Sequence, residues 1–212
     1  GTEAMPIVQP GEHILTGQPI AEIRDHTLGA KLHAPISGTV TRIQSSAVPG
    51  RRDSLSIFIE SDGRDERWTN YLSRNNPLRL STRELRQAVI EGGIVGLGGA
   101  TFPAGVKLNP GSGVDTLILN GAECEPYITC DEMLLRERAL EVIVGLRIMR
   151  YALQAKRCII GVENNKKAAF LALQEQVRNL GTDFIDVIQV PTVYPTGGEK
   201  QLIQVLTGKE VP

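Results

Sequence analysis

The chain has 212 residues, is 41% hydrophobic and 22% charged, and carries a net charge of −1. That length can bury a real core and accommodate two domains of ordinary size. A charge so close to balance leaves no basic footprint for nucleic acid, which drops out as a partner.

The first sixty residues read as all-β. Turn residues recur every few positions between short apolar runs in Pro10-Gly11-Glu12-His13-Ile14-Leu15-Thr16-Gly17-Gln18-Pro19-Ile20, and His33-Ala34-Pro35-Ile36-Ser37-Gly38-Thr39-Val40 repeats the style. The Gly17-Gln18-Pro19-Ile20 and Ala34-Pro35-Ile36-Ser37-Gly38-Thr39-Val40 segments resemble those of lipoyl and biotinyl barrel-sandwich domains. Those domains carry a modified lysine at a hairpin tip between the two segments. Here the intervening stretch, Arg24 to Leu32, holds Lys31 without such a setting. The module is therefore read as structural or docking, with a swinging-arm carrier as an open alternative. The first residues show no signal-peptide pattern, so no secretion signal is expected.

Residues 61–80 are rich in Arg, Asp, Asn and Ser and read as a linker. A helix follows over Ser81 to Glu91. Ser81 and Glu84 form a capping box, Leu85, Ala88 and Val89 share one face, and Gly92-Gly93 stops the helix. Next comes Gly96-Leu97-Gly98-Gly99-Ala100-Thr101-Phe102-Pro103-Ala104-Gly105-Val106-Lys107. Glycines let successive N–H groups turn toward one anion, and a lysine at the end can meet it as a point charge. The run reads as a phosphate cradle. It is not a dinucleotide-binding fingerprint, because it follows a helix and Thr101 stands where the third glycine belongs.

From Asp115 onward strands and helices alternate. Asp115 to Asn120 is an apolar strand that empties into Gly121-Ala122-Glu123-Cys124-Glu125-Pro126, offering Asn120, Glu123 and Glu125 at a strand's carboxyl end, where open α/β sheets bind ligands. A helix is expected over Glu132 to Leu153. Its most apolar part is interrupted by Glu141, Arg147 and Arg150, as in a surface helix and unlike a membrane span. Then come a strand Arg157 to Val162, a helix Asn165 to Leu180, a strand Phe184 to Val190 and a helix after Gly198. The fold class is α/β: a Rossmann-like, mainly parallel sheet with helices on both faces, preceded by a small all-β barrel-sandwich domain. The expected divisions are 1–62 for the barrel, 63–80 for the linker and 81–212 for the α/β domain. The cysteines Cys124, Cys130 and Cys158 form no metal or iron–sulfur framework, so no metal site is expected, and Cys124 is expected to pack. The histidines His13, His26 and His33 all fall in the β module, which disfavours acid–base or Ser-His chemistry in the α/β domain.

The glycine loop, the Asn120-Gly121-Ala122-Glu123-Cys124-Glu125-Pro126 segment, the later Gly197-Gly198-Glu199-Lys200-Gln201-Leu202 and the tail ending Glu210-Val211-Pro212 together resemble the RnfC (also called RsxC) family. Members of that family are one soluble component of the Rnf ion-translocating electron transport complex. They are similar, more distantly, to the flavin- and NADH-binding subunit of respiratory complex I. The resemblance implies a component of an ion-translocating ferredoxin:NAD oxidoreductase in which NADH reduces FMN. It implies that Gly96, Gly98, Gly99 and Lys107 cradle the FMN phosphate, that Asn120 and Glu123 contact the flavin, that Phe102 lies near the nicotinamide, and that Glu199 sits by the nucleotide. Two [4Fe-4S] clusters are implied on a segment C-terminal to this sequence, with the other Rnf subunits and ferredoxin as partners. A peripheral position on the cytoplasmic face of the bacterial inner membrane is implied as well. Leu97, Ala122 and Lys200 depart from the complex I pattern, where arginine, aspartate and glutamate are usual. A non-catalytic scaffold that has lost nucleotide binding therefore stays open as the alternative.

Overall fold

The computed structural model describes residues 3–24, 28–70, 76–97, 101–111 and 113–211. Alternation of apolar and turn residues in the first sixty positions yields two small antiparallel sheets. One orders β1 (Met5–Pro6), β3 (Pro19–Glu22) and β4 (Leu32–His33), and the other β2 (His13–Ile14), β5 (Gly38–Val48) and β6 (Arg51–Ser61). Val8, Ile14, Ile20, Ala34 and Val40 pack between them as the barrel core. The two look-alike segments face each other: Gly17 N–H donates to Ala34 O, and Ala34 N–H to Gln18 O, both at 2.8 Å. Residues after β6 return along this module, with Thr16 bridging to Arg67 and Trp68 N–H donating to Thr16 O at 2.9 Å.

Residues 1–109 form one compact unit, which also contains α1 (Thr82–Glu91) and the short α2 (Ala104–Lys107). The capping box expected at the start of α1 is present: Ser81 Oγ accepts the Glu84 N–H while the Glu84 carboxylate accepts the Ser81 N–H. Gly92 caps the other end.

Residues 110–212 form the second unit. Its parallel sheet runs β7 (Thr116–Gly121), β8 (Arg157–Glu163), β9 (Ile185–Val190) in spatial order, with α3 (Cys130–Glu137), α4 (Ala139–Leu153), α5 (Lys167–Asn179) and α6 (Glu199–Thr207) around it. Side chains alternate along the central β8. Cys158, Ile160 and Val162 enter a core with Leu135, Ala139, Ile143, Leu146, Ala169 and Leu173 from α3, α4 and α5. Gly161 points the other way, where a Cβ would lie 3.1 Å from both Leu202 and Leu206 of α6. The absent side chain lets α6 close on that face, so helices cover both sides. The single helix expected over 132–153 is two helices, starting earlier and broken at Arg138, whose backbone leaves the helical region at φ −121°, ψ 29°. The break re-aims the chain so that Leu135 before it and Ala139, Ile143 and Leu146 after it reach one core. Among the described residues no helix is long and apolar enough to cross a membrane.

Candidate functional site

In the first unit, the glycine loop leaves α1 and closes on itself. Ala104 N–H donates to Ile94 O at 2.8 Å, Gly96 N–H to Phe102 O at 2.9 Å, and Val95 bridges Pro103. These contacts make residues 94–96 and 102–104 the two feet of the loop. Gly98 and Gly99 lie outside the described residues. Leu97 is 92% exposed at the turn, and Thr101 takes a left-handed φ of +47°, uncommon for a residue with a side chain. Lys107 ends α2, exposed, with its Nζ 5.8 Å from the centre of the Phe102 ring. Gly96 spends its own N–H on loop closure, but a Cβ placed there would meet only Phe102 O, at 3.8 Å. Open ground over Gly96, an exposed ammonium and an aromatic face beside it suit a ligand with a phosphate and a flat ring.

In the second unit, the strand-end segment is laced to the turn before α6. Asn120, exposed near the end of β7, donates from Nδ2 to Gly197 O at 2.8 Å and accepts the Ala122 N–H at 3.1 Å. Cys124 Sγ accepts the Gly197 N–H at 3.1 Å. Any Cβ on Gly197 would sit 2.6 Å from that sulfur, so only glycine fits beneath it. Cys124, expected to pack, is thus also a hydrogen-bonding clasp. Glu199 is the exposed first residue of α6, where a negative charge suits the helix dipole.

Glu123 turns inward. Its side chain is 2% exposed, Oε1 accepts the Asp131 N–H at 2.8 Å, and Oε2 lies 3.3 Å from Lys166 Nζ, which also meets Glu132 at 2.9 Å. The Glu123 N–H donates to Oε2 of the buried Glu163 at 3.2 Å. The Glu132 hydrogen bond first, and Glu123 after it, raise the ammonium of Lys166 above its ordinary value. Burial, then the charges of Glu123 and Glu125, push the Asp131 carboxyl up. Glu123, Cys130 and Asp131 bring one ligand atom each within 4.8 Å of one another, but the Glu123 oxygens already serve Asp131 N–H and Lys166. Lys166 escaped the sequence reading. It sits just past the carboxyl end of β8, so the strand-end rule that singled out Asn120 could have found it.

Residues 89–212 match the family described as the Nuo51 FMN-binding domain, and residues 1–64 match the RnfC barrel sandwich hybrid domain. Over its full length the chain is 44% identical, across 220 residues, to the C component of the ion-translocating oxidoreductase complex of Yersinia pestis bv. Antiqua, of which it covers 34%. It is likewise 44% identical over 216 residues to the protein of that description from Rhodobacter capsulatus, of which it covers 41%. The chain thus spans between about a third and two-fifths of these relatives' length. Among solved structures, an NAD+-reducing [NiFe]-hydrogenase in its air-oxidized state shares the fold, with a TM-score of 0.56 and 24% identity over 60% of this chain and 24% of that one.

Proposed function

Because the chain belongs to the RnfC family, with a Nuo51 FMN-binding domain behind an RnfC barrel sandwich hybrid domain, we propose that it is the FMN-binding, electron-accepting part of an ion-translocating oxidoreductase component. The finer reading is a ferredoxin:NAD oxidoreductase held peripherally at the cytoplasmic face of the bacterial inner membrane. NADH, ferredoxin and the other proteins of the complex are its partners. The reading also implies two [4Fe-4S] clusters, held outside this chain's residues, as the onward electron acceptors. By function the proposed division stays 1–62, 63–80 and 81–212, although the compact units part after residue 109 and residues 66–68 bond back to the barrel.

The redox chemistry, hydride transfer from NADH and one-electron release, would be supplied by bound FMN. The chain's own residues bind and orient. Lys107, with the backbone of Gly96, Gly98 and Gly99, would meet the phosphate, Phe102 would offer its face to a flat ring, and Glu199 would lie by the nucleotide. Asn120 would meet the flavin from the strand end, whereas Glu123, 2% exposed and held by Asp131 N–H and Lys166, would reach it only by leaving those partners. The observation that supports this reading is the loop of the first unit, where the exposed Lys107 lies 5.8 Å from the Phe102 ring and Gly96, at the foot of the same loop, leaves room for a ligand. The exposed Leu97, in place of a fork of charge, favours one second reading, a scaffold without nucleotide binding. Anaerobic addition of NADH to the flavin-loaded protein separates the two. Bleaching of the flavin absorbance is the expected result, and a flavin that stays oxidised would favour the scaffold.

A further inference from the structure

The barrel module has no part in the chemistry above, yet it touches the root of the glycine loop. Lys31, one residue before β4, places its Nζ 2.5 Å from Glu91 Oε2 at the end of α1, and the lysine side chain is only 26% exposed. The same ion pair, through the Lys31 hydrogen bond above all, holds the Glu91 carboxyl below its usual range. Two residues on, Gly93 takes a φ of +61°, and a Cβ there would stand 2.3 Å from Lys31 O and 3.1 Å from the His33 ring. Only glycine permits that approach. A lysine held in this way does not project as the arm of a lipoyl- or biotin-type carrier. Around these contacts the surfaces part into a cleft of about 620 Å³, lined in part by Lys31, Glu91, Ile94, Pro103 and Val106. The mechanical link therefore runs through the ion pair and the Gly93 approach, and from Gly93 directly into the foot of the loop at Ile94 to Gly96.

We propose that the barrel is a brace for the glycine loop, with Lys31 as a positioning residue that fixes the end of α1 and so the feet from which the loop springs. The flavin arm of this inference rests on the function proposed above; the brace itself does not. Helix α1 ends on two glycines, Gly92 and Gly93, which by themselves would let the loop swing. A phosphate-binding loop gains affinity when its ordering is completed before the ligand arrives.

The test uses the full chain and the variants Lys31→Met and Glu91→Gln, with Val40→Ala in the barrel core as a control. Hydrogen exchange at the Gly96 and Ala104 amides is read without ligand, and FMN affinity by fluorescence quenching. Each variant is expected to speed exchange at both amides about three- to fivefold and to weaken FMN binding by a similar factor, the size of a half-exposed ion pair. The swapped pair, Lys31→Glu with Glu91→Lys, is expected to restore both. Val40→Ala lowers the melting temperature without changing exchange at the loop feet. Exchange in Lys31→Met and Glu91→Gln equal to the parent would overturn the brace, and faster exchange with unchanged FMN affinity would overturn its part in flavin binding. If the parent binds no FMN while exchange still quickens in both variants, the brace stands and the flavin reading fails. Should Lys31→Met not fold, Glu91→Gln probes the same contact from the helix side.

Discussion

Lys166 is the polar side chain on which the buried Glu123 depends. Removing it by Lys166→Met leaves the Glu123 carboxylate, 2% exposed, without a counter-charge. Breaking a buried pair from one side costs about 3 to 5 kcal/mol, and the variant is expected to lose about 3 kcal/mol in denaturant unfolding. A loss no larger than that of a surface pair would show that Glu123 is solvated. In the barrel, the hydroxyl of Ser37, the Arg64 N–H and the His13 ring, in that order, lower the Asp62 pKa from 3.8 to about 2. A depressed carboxylate pKa adds stability that is complete above the unfolded value and is lost as pH falls through the folded one. The melting temperature should therefore fall more steeply in the parent than in Asp62→Asn between about pH 4 and pH 2, and parallel curves would remove Asp62 from the account. Neither network was legible in the sequence. Asp62 and His13 lie 49 positions apart, and Glu123 and Glu163 40 apart, so no local pattern announces them. The Cys124 clasp on Gly197, across 73 positions, was hidden for the same reason.

Elements were legible where their signals are local. Ser81 and Glu84 specify the start of α1 within one turn, and the structure shows both capping bonds. Ser81→Ala is expected to cost about 1 kcal/mol of stability, measured by urea unfolding, and no change would mean that Glu84 alone holds the end. The run that became β8 announced itself by apolar, β-branched content, because a central strand buried on both faces needs no polar alternation, while the flanking β7 and β9 showed through their apolar and β-branched residues although part of each is exposed. The break at Arg138 was not legible. No proline or glycine marks it, and it follows from the demand that α3 and α4 fill one core.

At the scale of the whole molecule, the sequence carried the class of each half: turn-punctuated short strands for the barrel, alternating strands and helices for the parallel sheet. It also carried the family, through three short segments whose match holds over the full chain. What it could not carry is the grouping of the barrel with α1 and the glycine loop in one compact unit, since the Lys31–Glu91 contact joins residues 60 positions apart. That grouping turns a segment expected to be a structural or docking element into a candidate part of the binding apparatus.

The central claim is that this chain binds FMN with its phosphate at Lys107. The most direct test titrates FMN with the chain and with Lys107→Ala, following quenching of flavin fluorescence. Saturable binding that Lys107→Ala weakens by about 1 to 3 kcal/mol, the range for a charge-assisted hydrogen bond, is the predicted result. Equal affinity in the two proteins would contradict the phosphate cradle, and no quenching by either would contradict the flavin site.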